Sequence, residues 1–170
     1  MLKRDLAIAP VGEALLILVV GAVGWAAHQP LVFASLGPTA YELIETPHRR
    51  SAEPYSIIAG HLAGVGAAWL ALLLTHAWSA PPVSSAGVPL VRVGCAAVAS
   101  ATTVLANMLL RASQPAAIAT ALLIALGLMP RPLDAAVIVC GVLLMTLVGE
   151  PLRRLRLRTP EVRTGPARES

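Results

Sequence analysis

The sequence predicts an all-α integral membrane protein, and three observations lead there. Of 170 residues, 56% are hydrophobic and 13% charged, at a mean hydropathy of +0.74, which leaves too little polar surface to solvate a globule. Several apolar runs approach the ~20 residues that cross a ~30 Å hydrocarbon core. Hydropathy and proline also follow one order twice: long helix, short Pro-initiated helix, proline-bearing turn, long helix. The expected architecture is four long transmembrane helices plus two short Pro-initiated helices, broken or re-entrant, in two pseudo-repeated halves. The length fits one membrane domain.

Residues 1–10 read as an N-terminal arm with Lys3 and Arg4, and residues 11–150 as the transmembrane domain, with a first half at 11–78 and a second at 88–150. The first apolar run, 11–27, carries Glu13 at its start and Gly21 and Gly24, small residues that permit close helix packing. A basic start followed by Trp25-Ala26-Ala27 also fits a signal peptide. Glu13 shortens that apolar core, and the later segments need a partner helix, so a membrane helix is the preferred reading.

Residues 31–44 are apolar but interrupted at Gly37-Pro38. Proline suits the first turn of a helix and resists its interior, so a short helix is predicted from Pro38 to about Glu45. At 1.5 Å per residue it covers roughly 12 Å. Residues 31–37, if extended, add roughly 20 Å, enough for the two pieces together to cross. Residues 46–54 form a polar turn. Residues 56–78 are the cleanest membrane helix, in which Gly60 and Gly64 make a small-xxx-small seam for a close neighbour. Residues 79–87, with Pro81-Pro82, are a loop. Residues 88–110 form the third long helix, with Arg92 near one end, Asn107 near the other and Arg111 closing it. Gln114-Pro115 opens a second short helix reaching Met129, stopped by Pro130-Arg131-Pro132. Residues 133–148 are the last membrane helix, and 151–170 a basic tail expected to be disordered.

Charge sets the topology and excludes other classes. Of 13 Lys and Arg, the group Arg153, Arg154, Arg156, Arg158 and Arg163 follows the last apolar run, as the positive-inside rule explains. The net charge of +4 is not a nucleic-acid footprint. With both termini inside and both short segments crossing, Arg49, Arg50 and Arg111 also fall inside, and the halves are inverted relative to each other. Four crossings with re-entrant short segments would put Arg49 and Arg50 outside, which the charge rule disfavours. Cys95 and Cys140 lie in apolar runs, against a disulfide framework or a zinc site. Trp25, Tyr55, Trp69 and Trp78 sit mostly near helix ends, as interfacial anchors do.

Paired short or proline-interrupted segments in two halves point to a transporter's binding site. The first N–H groups of a helix have no internal partner and carry about half a positive charge. Two such starts, at Gly37-Pro38-Thr39 and at Gln114-Pro115 with Thr120, would make a small-anion site if they met near the midplane. The bland alternative is a pair of kinked packing helices. His61, beside Gly60, is expected either to line that site and titrate or to be a neutral histidine bonded to a carbonyl. Glu42 and Glu45 share a helix face. One could accept a coupling proton, although a solvated position is expected. Arg92 and Arg111 are expected to snorkel to the interface, and Asn107 to bond between helices. No catalytic cluster, phosphate loop or metal-ligand spacing stands out, so no enzyme, cofactor or metal is expected.

Three stretches resemble the HPP family of small integral membrane proteins, a likeness covering residues 33–148. Phe33-Ala34-Ser35-Leu36-Gly37-Pro38-Thr39-Ala40 resembles the family's FGAS-type segment. Pro54-Tyr55-Ser56-Ile57-Ile58-Ala59-Gly60-His61-Leu62 resembles its P-R-N-x-I-x-G-H stretch. Ser113-Gln114-Pro115-Ala116-Ala117-Ile118-Ala119-Thr120-Ala121 resembles its T-H-P-P-A-G-A-T-A motif. The signature is degenerate: Gln114 stands for His, Ala116 for the second Pro, and Tyr55-Ser56 for Arg-Asn. Some plant plastid and cyanobacterial members are associated with nitrite transport. The resemblance therefore implies a small-anion transporter with nitrite as its candidate substrate; a bacterial plasma membrane is the expected location, and the charge distribution puts both termini in the cytoplasm. The expected partners are the lipid bilayer, a small inorganic anion and further copies of the chain. The alternative is a non-transporting scaffold or sensor subunit that docks through its Gly60-xxx-Gly64 seam.

Overall fold

The structure, a computed structural model, describes residues 5–158 and is all-helical there. The elements are α1 (Asp5–Ala26), α2 (Leu36–Glu45), α3 (Pro54–Thr75), the one-turn α4 (Val83–Ala86), α5 (Leu90–Leu109), α6 (Ala116–Ala125) and α7 (Pro132–Arg158). Four of them, α1, α3, α5 and α7, are long and apolar enough to cross a membrane, and α2 and α6 are 10 residues each. These are the expected four long helices and two short ones.

Several boundaries move for local reasons. Helix α1 begins at Asp5, inside the expected arm, and takes Pro10 into its interior. Helix α2 begins at Leu36, so Pro38 falls in its first turn, where a missing N–H costs nothing. Helix α6 ends at Ala125 rather than Met129, because Gly127 turns the chain with a φ of +79° and lets the Arg92 side chain pack against it. Helix α7 runs through Pro151 to Arg158, two turns into the expected tail. Basic residues suit a helix C-terminus, and Arg153 and Arg154 both pair with Glu150, at 3.1 and 2.7 Å. Residues 1–4 and the rest of the tail, 159–170, lie outside the described residues.

Each short helix completes a traverse begun by an irregular segment. Residues 29–35 descend along α1 past Gly24 and Gly21, and α2 continues until Ile44 lies against Gly12. Gly12 to Gly24 spans roughly 18 Å of helix, so the broken segment runs antiparallel to α1 instead of turning back. In the second half the chain turns beside Asn107 and α6 runs back along α5 to Arg92. The start of α1, the ends of α2, α5 and α7 and the starts of α3 and α6 thus share one end of the bundle, marked by Arg49 and Arg50. Pro81 and Pro82 mark the other.

The halves interlock through glycine. Gly60 and Gly64 of α3 receive Gln114 and Ala117 of the second half, while Gly141 and Gly149 of α7 receive Leu31 and Leu43 of the first. Leu16, Leu36, Leu43, Ile57, Leu72, Ile124, Ile138 and Met145 fill the interior. The helix faces turned outward remain apolar, as at Leu18, Leu74, Leu109 and Leu147, and suit contact with lipid.

A buried arginine closes the end of each short helix. Arg92 does not snorkel: it is 2% exposed and donates to the carbonyls of Ala125, Ala80 and Pro81 at 2.9, 2.6 and 3.3 Å. Arg156 of α7 donates to the Ile44 carbonyl at 3.0 Å. The last carbonyls of a helix lack intrahelical partners, and the bilayer interior offers no water to replace them. Replacing Arg92 by methionine strands three carbonyls at once. An expected loss of about 3 kcal/mol appears as a lower melting temperature in detergent, with Arg92→Lys restoring part of it.

Candidate functional site

The two broken segments meet at the centre of the bundle on four buried polar side chains. Ser35 precedes α2, Thr39 lies in its first turn, His61 stands on α3 and Thr120 on α6, all enclosed. Their positions follow from helical register. Ser35 and Thr39, four apart, occupy one face of the α2 start, and the Thr39 hydroxyl donates to the Ser35 carbonyl at 3.0 Å. His61 follows Gly60 on the face of α3 that the glycine seam opens to α6.

The hydrogen bonds form one chain. Ser35 Oγ lies 2.7 Å from Thr120 Oγ1, Thr120 Oγ1 lies 2.7 Å from His61 Nδ1, and His61 Nε2 lies 3.1 Å from Thr39 Oγ1. Its direction can be deduced. Thr39 spends its proton on the Ser35 carbonyl, so it accepts from His61 Nε2–H. A neutral ring then carries a lone pair on Nδ1, which accepts from Thr120, and Thr120 in turn accepts from Ser35. A doubly protonated ring needs only Thr120 and Ser35 to swing their hydroxyls. Hydroxyl rotation alone thus matches the cluster to either form of the ring, with no change of backbone.

Gln114 sits apart from this chain, toward the Arg49–Arg50 end. Its side chain donates to the Ser51 carbonyl at 3.3 Å and accepts from Ala116 N–H at 3.3 Å, and its carbonyl accepts from Asn107 at 3.1 Å. The N–H groups opening α6 are thus taken up within the chain, those of Ala117 and Ile118 by Gln114 and Pro115 carbonyls. Beside Gln114 opens a cleft of about 410 Å³ lined by Arg50, Asn107, Arg111, Ser113 and Pro115. Arg50 and Arg111 are exposed there, and Arg111 holds a left-handed backbone with φ of 53°.

Of the seven residues singled out from the sequence, Thr39, His61 and Thr120 come together. Gln114 and Pro115 line the cleft approaching them. Pro38 is exposed, and Gly37 has open space where a side chain would be, so neither touches the cluster. Asn107 bonds between segments as expected, whereas Glu42 departs from its expected solvated position: its Oε2 is enclosed. Ser35 and Ser51 were missed. Ser35 carried a signal, standing four residues before Thr39 ahead of a helix start; Ser51, in a polar turn, carried none.

Broken helices crossing at buried hydroxyls and an imidazole define a small polytopic helical membrane protein with an interior polar site. The family model for the HPP transmembrane region matches residues 2–159, and the chain belongs to that family. No curated relative matches it, and no solved structure does.

Proposed function

We propose that the protein is a small-anion transporter of the bacterial inner membrane, with nitrite its leading candidate substrate and both termini cytoplasmic. The observation that carries this reading is the meeting of two broken segments on the Ser35–Thr120–His61–Thr39 chain. In lipid, buried polar side chains at a helix break are costly and mark ion or proton paths. Two hydroxyls and His61 Nε2–H supply donors for an anion without a full buried cation, and each is freed by a small rotation. Arg50 and Arg111 gather anions at the cleft, and Gln114 stands between them and the chain. At this size, association with further copies of the chain would complete the pathway.

The subunit alternative would use the Gly60-xxx-Gly64 seam for docking, but that seam is filled by α6 of the same chain. The deciding measurement is uptake into proteoliposomes of nitrite, nitrate, formate and chloride, after subtracting leak through protein-free vesicles. Saturable uptake of one anion is expected. No uptake above the blank for any of them returns the chain to the subunit reading.

The cleft arginines make a separate prediction. Arg111→Gly relieves a left-handed backbone that costs a non-glycine residue about 1 kcal/mol and removes a cation from the entrance. The variant should melt at a higher temperature yet show a several-fold higher KM, with weaker dependence of KM on ionic strength. An unchanged KM excludes this cleft as the entrance.

A further inference from the structure

Three side-chain oxygens among the described residues are enclosed without a hydrogen-bond partner: Glu42 Oε2, Ser56 Oγ and Asn107 Oδ1. Two of them, on Glu42 and Asn107, border Gln114. The Ser51 and Gln114 side chains stand as donors to the Glu42 carboxyl, and its Oε2 is left without a partner. Asn107 donates to the Gln114 carbonyl, and its Oδ1 faces Gly60, against which Gln114 packs. Ser56, wholly buried, is one turn before Gly60 on α3. The Gln114 amide has two N–H donors, one given to the Ser51 carbonyl and one within reach of the Glu42 carboxyl, so it cannot serve both of these oxygens and Asn107 Oδ1 as well. Glu42 Oε2 and Asn107 Oδ1 are thus enclosed acceptors without a donor, while the Ser56 hydroxyl can donate as well as accept.

We infer that Glu42 carries the coupling proton of an anion–proton symport, holding it on the carboxyl while the anion stands at Gln114. This rests on the transport reading. The charge argument is direct. An ionised carboxylate beside Gln114 repels an anion leaving the cleft, and the low dielectric of the bundle magnifies that repulsion. One proton taken up as an O–H on Glu42 with each anion leaves the net charge of the site unchanged, and both are released on the far side. The charged and titratable groups on the elements around Glu42 are Tyr41 and Glu45 on α2, His48, Arg49, Arg50 and Glu53 in the following turn, Tyr55 and His61 on α3, Asp5 and Glu13 on α1, and Asp134, Cys140, Glu150, Arg153, Arg154, Arg156 and Arg158 on α7; α6 carries none. Of these Arg49 acts on Glu42 directly. It lies on the exposed side, which leaves the enclosed oxygen unserved.

The test pairs two readouts on wild type, Glu42→Gln and Glu45→Gln in lipid vesicles. In the first, an inward proton gradient is imposed and nitrite accumulation followed. Wild type and Glu45→Gln are expected to accumulate nitrite with the gradient, whereas Glu42→Gln loses that response by about tenfold or more. In the second, infrared difference spectra follow carboxylic-acid carbonyl absorption at neutral pH. The wild type should show a band that grows on adding nitrite, and Glu42→Gln should lack it. A gradient response surviving in Glu42→Gln overturns the proposal, as does a wild-type spectrum without the band. Wild-type uptake that ignores the gradient overturns the symport alone. Absence of any wild-type uptake overturns the transport reading beneath it.

Discussion

Thr120→Val should lower anion uptake by about 100-fold per folded molecule, equivalent to ~2.7 kcal/mol, while the helical content is unchanged. The hydroxyl of Thr120 is the one atom shared by Ser35 and His61, each 2.7 Å away. Valine keeps its shape and removes both bonds. The Ser35 hydroxyl and His61 Nδ1 are then buried without partners. His61→Ala should be equally severe, because it disconnects Thr39 from Thr120. Thr39→Val should be milder, since Thr39 serves the ring only as an acceptor. Uptake in reconstituted vesicles, normalised to folded protein, checks the series. If Thr120→Val melts earlier but transports as well as wild type, the chain is a packing device and the path lies elsewhere.

Gly64→Leu should yield no folded protein. A Cβ at Gly64 would stand 2.5 Å from the Ala117 carbonyl oxygen. That atom is backbone and cannot rotate away, so α6 as a whole would have to move, and its Arg92 and Thr120 contacts with it. Gly64→Ala should cost about 3 kcal/mol, the upper range for overpacking. Gly66 is the control: nothing lies within 4 Å of its Cβ position, so Gly66→Ala should be neutral or raise stability by about 0.5–1 kcal/mol through helix propensity. Size-exclusion profiles and melting curves in detergent separate the outcomes. A Gly64→Leu protein that stays folded and changes only its oligomeric state would mean that the seam faces another molecule.

Hydropathy and proline alone determined the membrane character, the four long helices and the two short ones, because a bilayer requires apolar length and proline favours a helix start over its interior, even though α1 and α7 take in Pro10 and Pro151. Glycine spacing likewise announced a close neighbour for α3. Which neighbour it was lay beyond the sequence: the seam holds α6, some fifty residues away, and Gly141 and Gly149 hold the first half in return. The same limit governed the site. His61 and Thr120 were visible as polar residues in apolar runs, but nothing local to either places them 2.7 Å apart. Arg92 is the sharpest case. An arginine near a helix end ordinarily reaches for water, and only the arrival of the α6 end and the Ala80-Pro81 turn beside it supplies three carbonyls that outcompete water. Burial and partnership of a polar side chain are set by what the other half of the chain brings to it, and that is a property of the packed bundle, not of the segment.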